Sequence, residues 1–391
     1  MAQTAPAAKA KVSSRNSRLA WRGWVPWVLV VLAALIGLTS ALNVWVKRQA
    51  LSTDNWTNAS SQLLEDEKIR GAISVYLVDQ LYQNVNVANA LEQRLPPQFK
   101  GFAPPLAAAL QDVAVRRADR LLGRPRVQEL WKEANRRAHS LFIAVLDGKK
   151  NVLVSTDDQV VLNLRPLVQG LGEQLGLSGK IAQKLPPDAG QIVIMNGNQL
   201  QTARKTVKVV RVLSYFLFFL VIALFAAAIY IARDRRLRLL MGAGVSVFLV
   251  GLLVLVVRRY AGNYLVDALT SNQDDKIAVN HAWAIGTQLL RNTGINAVIY
   301  GLGIIFAAWI AGASRPAKWI RRKLAPTMRD HPVVIYGTVT VLLFLVLITG
   351  PTDAQRILPL LVLFGFAYVG TELLRRQTER EFPPTATAQA G

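Results

Sequence analysis

The sequence predicts an α-helical polytopic membrane protein, with six transmembrane helices and an inserted α+β, mostly helical, extracytoplasmic domain. Three observations predict it. Of 391 residues, 52% are hydrophobic, and they are bunched into long uninterrupted runs, as membrane segments are. Arginine and lysine collect in short connectors that a six-span map puts on one side. Between the first two runs lies a long stretch, 47–211, of mixed polarity and helical periodicity.

A span needs about 20 apolar residues to cross roughly 30 Å of hydrocarbon. Six segments are expected to do so: 24–46, 212–232, 239–257, 295–313, 333–350 and 357–374. The first five contain no charged residue, and the sixth has only Glu372, at its inner end. Pro359 falls in the first turn of the sixth, where proline is tolerated. The first segment follows basic residues, as a signal peptide does, but its apolar run is longer than a typical signal core. The mediocre cleavage site at Thr39-Ser40-Ala41 also favours an uncleaved signal anchor.

Orientation comes from the connectors. The tail 1–23 carries Lys9, Lys11, Arg15, Arg18 and Arg22 with no acid. The turn after the second span holds Arg233, Arg235, Arg236 and Arg238. The loop 314–332 holds Arg315, Lys318, Arg321, Arg322, Lys323 and Arg329, and the tail 375–391 adds Arg375, Arg376 and Arg380. All four share a side, so both termini are expected in the cytoplasm of a plasma-membrane protein, with 47–211, 258–294 and 351–356 outside. The formal charge of +22 would otherwise invite nucleic acid. Most of the inner excess is topological, and no compact inner domain exists to bind it, so nucleic acid is excluded as a partner. Cysteine is absent, which rules out disulfides, thiol chemistry and cysteine-bound metal.

Within 47–211, Ser52 and Thr53 can cap a helix carrying Trp56, Leu63 and Leu64. Ile69, Ile73, Tyr76, Leu77, Leu81 and Tyr82 recur at helical period in a second. A helix over 105–122 is expected to end at Gly123, and another over 127–146 to stop at Asp147-Gly148. Strands are expected over 151–155, 159–164 and 191–195, the first two forming a hairpin around Thr156-Asp157-Asp158. Short helices are expected over 167–175 and near Ile181. From Asn198 a helical pattern runs without a breaker into the second span. The second outer loop, 258–294, also has helical periodicity, and is expected to form a helical hairpin that props the main domain.

Candidate sites are sparse. His139, His281 and His331 show no metal-ligand spacing and read as structural or exposed. Asp157 and Asp158 read as turn formers rather than an acid pair. The stretch 170–176 lacks phosphate-loop spacing. Asn55 and Asn58 fit a glycosylation pattern that matters only in a glycosylating host. No catalytic, cofactor or metal residue is assigned. The spans carry no ionisable group at mid-depth, which disfavours ion-coupled transport. Gly242, Gly244, Gly251, Gly301 and Gly303 offer small faces for helix packing. The positive signal is interfacial: after Ser314, a short helix is expected to set Trp319, Ile320 and Leu324 among Arg315, Lys318, Arg321, Arg322 and Lys323. That set suits anionic lipid headgroups. Lys47, Arg48, Lys205, Lys208 and Arg211 can snorkel to phosphates on the other side.

The signal anchor, the segment LWKEANRRAH at 130–139 and the strand-rich VVLNLRPLV at 160–168 resemble those of uncharacterised integral membrane proteins of actinobacteria. The resemblance implies a bacterial plasma membrane and brings no activity, cofactor or functional residue. The function expected is that of a non-enzymatic envelope protein, its outer domain binding a protein, ligand or envelope partner. The alternative is a transporter or channel subunit, and single external acids such as Asp54, Glu65 and Asp147 leave a membrane enzyme as a third reading.

Overall fold

The computed structural model describes residues 17–84, 87–148, 153–156, 159–163, 191–232, 235–270, 272–349 and 357–383. Asp157, Asp158, the stretch 170–176 and the helices expected over 167–175 and near Ile181 lie outside them. From the N-terminus the chain forms α1 (Ser17–Ala50), α2 (Thr53–Glu65), α3 (Glu67–Asn84) and α4 (Val87–Glu92). A 3-10 turn (Pro97–Phe102), α5 (Ala103–Leu122) and α6 (Pro125–Leu146) follow. Strands β1 (Leu153–Thr156), β2 (Gln159–Asn163) and β3 (Gln191–Asn196) precede α7 (Gly197–Ile231) and α8 (Arg236–Leu269). Then come α9 (Gln273–Gly286), α10 (Gln288–Ile310), α11 (Arg315–Asp330), α12 (Pro332–Thr349) and α13 (Ile357–Glu381).

The chain is an α-helical, multi-pass membrane protein. Among the described residues, four helices are long and apolar enough to cross a bilayer: α1 from Trp24, α7 from Asn198, α8 and α10. Six were expected. α12 has 18 residues and no charged one, at the short end of the roughly 20 residues a crossing needs. α13 turns charged at Glu372, Arg375, Arg376, Glu379, Arg380 and Glu381. The unbroken helix expected from Asn198 is α7; it has 35 residues and α8 has 34. Each is about 50 Å long at ~1.5 Å per residue, well beyond the hydrocarbon layer.

Two compact units divide the chain. One comprises Met1–Ala41, Tyr215–Leu255 and Asn292–Gly391; the other comprises Leu42–Ser214 and Val256–Arg291.

In the first unit, Val30 of α1, Ala228 and Ala232 near the end of α7, and Leu239 of α8 form a buried cluster, with Leu29 and Phe225 packed on it. α8 and α10 meet along glycines. A Cβ at Gly251 would lie 2.7 Å from the Gly294 carbonyl oxygen and from the Val298 amide nitrogen, and one at Gly301 would lie 2.5 Å from the Phe248 amide nitrogen. The backbones themselves touch, which is how helices gain van der Waals contact where no hydrophobic force separates lipid from leucine. Of the other glycines expected to pack, Gly242 meets Trp27 and Gly244 meets Ile305, while Gly303 faces open space.

In the second unit, α2 packs on α6, α3 on α5, and α9 on both α2 and α3. Ser52 caps α2 by accepting from the Asn55 amide at 3.4 Å, as expected. Asp66 opens α3: its Oδ1 accepts from the Lys68 and Ile69 amides at 3.0 and 3.1 Å. Its Oδ2 meets His281 Nδ1 of α9 at 2.8 Å, so α9 is tied to the start of α3. The Trp131 indole N–H donates to the Ser60 carbonyl at 2.8 Å, joining α6 to α2.

His139 is buried between the same helices, its ring stacked on Trp56 with centroids 5.1 Å apart. Its Nε2 lies 3.2 Å from the Ala50 carbonyl and its Nδ1 lies 3.1 Å from the Thr53 hydroxyl. A carbonyl only accepts, so Nε2 carries the hydrogen and Nδ1 takes one from Thr53. Burial pushes the imidazole below its ordinary pKa, against the smaller opposing effect of the Ala50 bond. The ring is therefore a neutral, fully bonded structural group.

The helices end where expected, at Gly123 and at Asp147-Gly148. Gly123 follows α5 but is right-handed, at φ −76; a Cβ there would sit 3.3 Å from the Arg70 guanidinium, so the glycine makes room for Arg70 to pair with Asp119 at 3.0 Å. The left-handed stop is Gly148, at φ +78, after α6. The C-terminal end of α6 is tied to α7. Val145, Leu146 and Leu200 form a buried cluster, Arg204 donates to the Val145 carbonyl at 2.9 and 3.1 Å, and Arg211 pairs with Asp147 at 2.6 Å. The three strands pair antiparallel in the order β1-β2-β3, with Val154 opposite Val161 and Leu162 opposite Ile192.

Two outcomes follow. Replacing Gly301 or Gly251 by leucine should force α8 and α10 apart and cost about 1–3 kcal/mol or more, read as a lower midpoint of thermal aggregation in detergent. The same change at Gly303 should leave that midpoint nearly unmoved. Because the folded state favours neutral His139, its contribution is complete above the ordinary imidazole range and declines as the pH falls below it. His139→Gln should therefore flatten the loss of thermal stability between about pH 7.5 and pH 5.5; an unchanged slope would contradict the neutral assignment.

Candidate membrane-interface site

α11 carries the one cluster of side chains singled out in the sequence as a site. Ser314 opens it, accepting from the Ala317 amide at 3.4 Å, with Pro316 in the first turn. Ala317, Arg321, Leu324 and Met328 recur at steps of four, three and four, and so share one face. Ala317, Arg321 and Met328 are buried and Leu324 is half-buried. The helix packs this face against α13 and α12. Arg315, Lys318, Trp319, Arg322 and Lys323 occupy the other side and are all exposed, Trp319 to 63%. Ile320 is half-buried.

The expectation that Arg321 belongs with the lipid-facing cations is corrected. Its side chain is fully buried. It donates to the Glu381 carboxylate through Nη2 at 2.7 Å and Nε at 3.1 Å. Its Nη1 donates to the Gly312 carbonyl at 2.7 Å and to the carbonyl of Ile310. Gln377 takes the carbonyl between them, Ala311, at 3.1 Å, and also donates to Glu381 at 3.0 Å.

The end of α10 thus has three successive carbonyls satisfied by side chains from α11 and α13. A helix C-terminus leaves such carbonyls unpaired and carries partial negative charge, which a guanidinium meets on both counts. Burial works against ionised Glu381, but the hydrogen bonds from Gln377 and Arg321 hold its carboxyl below the usual range. The lock is therefore complete at neutral pH and loosens as the pH falls through the carboxylate range.

What remains at the surface is a tryptophan ringed by four cations on a helix whose opposite face is fixed. Trp319 can sit at the headgroup level while Arg315, Lys318, Arg322 and Lys323 meet anionic phosphates, at about 1 kcal/mol each near a charged leaflet. Glu381 and Gln377 were not anticipated as partners, since they lie far along the chain. The inward role of Arg321 was readable, because it keeps step with Ala317, Leu324 and Met328.

The other sequence candidates serve the fold. Asp54 pairs with Arg136 at 3.4 Å, Asp147 with Arg211, and the Asn55 amide donates to the Arg48 carbonyl at 2.9 Å. His281 holds Asp66, and His331 follows α11 on the surface. Among the described residues no group of three His, Cys, Asp or Glu is placed to hold a metal ion. No protein-family model, curated protein or solved structure matches the chain.

Arg321→Ala should cost about 3 kcal/mol, the lower end for breaking a buried pair because Glu381 keeps some solvent contact. It should also expose the 312–314 connection to protease in detergent. Arg322→Gln should change stability by less than about 0.5 kcal/mol yet weaken adsorption of the α11 surface to anionic lipid. Equal stability losses for the two would refute the assignment of opposite faces.

Proposed function

We propose that the chain is a six-span bacterial plasma-membrane protein with cytoplasmic termini. In this reading it is a non-enzymatic envelope component whose extracytoplasmic α+β domain binds a partner or ligand. α12 and α13 complete the six spans.

The observation that carries the reading is the composition of the second unit. It joins 42–214 with 256–291, two stretches far apart in sequence that the positive-inside distribution assigns to the same side. The His281–Asp66 contact, 215 residues apart, fits two crossings, α7 and α8, between them. On the other side the bond from Arg321 to Glu381 links the loop 314–332 to the tail 375–391, which fits a further pair of crossings by α12 and α13. Among the described residues of the outer unit, both histidines and acids such as Asp54, Asp66, Asp119 and Asp147 already serve packing and helix ends, which favours binding over catalysis.

One observation favours the alternative of a transporter or channel subunit. Between α12 and α13, Tyr336 donates to Glu372 at 2.6 Å, and Thr340 lies 2.6 Å from the Tyr368 hydroxyl, making a short polar ladder in an apolar hairpin.

The native lack of cysteine allows a direct test. Ser140→Cys and Asn280→Cys should react with an impermeant thiol reagent in intact cells, and Lys323→Cys and Arg380→Cys only after permeabilisation. Labelling of all four from one side would sink the map. Photocrosslinkers at exposed sites of α5 and α6 should capture a defined envelope component. Failure to capture one, together with aqueous labelling of Ser246→Cys and Thr340→Cys at mid-depth, would move the assignment to transport.

A further inference from the structure

The 3-10 turn and α5 present an apolar strip that no described part of the chain covers. Phe99, Phe102, Leu106, Leu110 and Val113 are 49, 63, 39, 40 and 43% exposed. From Phe102 onward they recur every three or four residues and so lie along one side of the helix. The other side is engaged with the fold: Ala103 and Ala107 are buried, Gln111 donates to Asp79 at 2.7 Å, and Asp119 pairs with Arg70. Past Val113 the exposed side continues as Arg116, Arg117 and Arg120, all exposed, and Lys100 stands in the turn at the opposite end. On the turn and α5 the exposed side has Asp112 as its carboxylate against Lys100, Arg116, Arg117 and Arg120, so its net charge is positive.

The backbone gives a second, independent observation. A helix start leaves four amide N–H groups without intrahelical acceptors. At α5 two of those positions are Pro104 and Pro105, which have no N–H, and the Ala103 N–H bonds the Lys100 carbonyl. No side chain caps this end. A helix start in water is ordinarily satisfied by a polar cap; this one has had its donors removed, which suits a medium where a bare donor finds no water.

We propose that this strip is a lipid-docking surface for an anionic phospholipid layer. Phe99, Phe102, Leu106 and Leu110 enter the acyl boundary while Arg116, Arg117 and Arg120 reach the phosphates. Apolar side chains flanked by three arginines at one end, and by Lys100, whose long stem can snorkel, at the other, match the depth profile of a headgroup region. A second copy of the chain fits poorly, because its matching strip offers Asp112 alone against three arginines. The inference rests on the reading of the outer unit as a binding domain, and names the surface it binds.

The test uses the full chain in proteoliposomes, with Leu106→Cys carrying an environment-sensitive fluorophore. In vesicles containing phosphatidylglycerol the emission should shift to the blue and be quenched by doxyl-labelled lipid. Both effects should be lost in phosphatidylcholine alone, and should weaken with rising salt. Arg116→Gln, Arg117→Gln and Arg120→Gln together should abolish them while leaving thermal stability unchanged, since these side chains make no ion pair. A label that stays in water in both lipids overturns the proposal. So does a blue shift that ignores lipid composition and the glutamines, which would mean that protein covers the strip; in that case partner binding by the outer unit stands and lipid docking falls.

Discussion

A helix end shielded from water must find partners for its last carbonyls, and this chain meets the demand with arginine twice. Arg321 closes the end of α10 and Arg204 the end of α6. In each case the guanidinium comes from a different element, so satisfying the backbone also fixes which helices are neighbours. Water would do the first task without the second. The buried Arg321, with Glu381 on its other side, accordingly orients α11 and decides which of its cations remain outside.

The two units use different physics for packing. Along α8 and α10 the side chains are removed and backbones touch at Gly251 and Gly301, since apolar burial gains little against lipid. In the second unit, polar groups do the matching. Trp131, His139, Asp66 and Ser52 each join a side chain to a specific backbone group. With no disulfide available, these bonds and the α2–α6 and α3–α5 contacts hold that unit together.

Much of this was legible in the sequence. Long apolar runs gave α1, α7, α8 and α10, and capping residues such as Ser52 and Ser314 gave helix starts within a residue or two. The unbroken pattern after Asn198 gave α7. The rest was hidden for definable reasons. Gly123 was readable as the end of α5, but its contact with the Arg70 side chain, which arrives from α3, was not. Arg321 was grouped with its charged neighbours by composition, although its register with Ala317 and Met328 marked it as inward. Contacts such as Arg321–Glu381 and His281–Asp66 join residues too distant for any local pattern to pair.

Asp66 has a bearing on biogenesis. One carboxylate both starts α3 and receives a ring from α9, an element synthesised more than 200 residues later. Until His281 emerges, the earlier helices of that unit lack the surface that α9 lays over α2 and α3, and their apolar residues stay open to solvent or chaperone. Loops closed over such distances form slowly. Completion of this unit thus requires the part of the chain that follows α8.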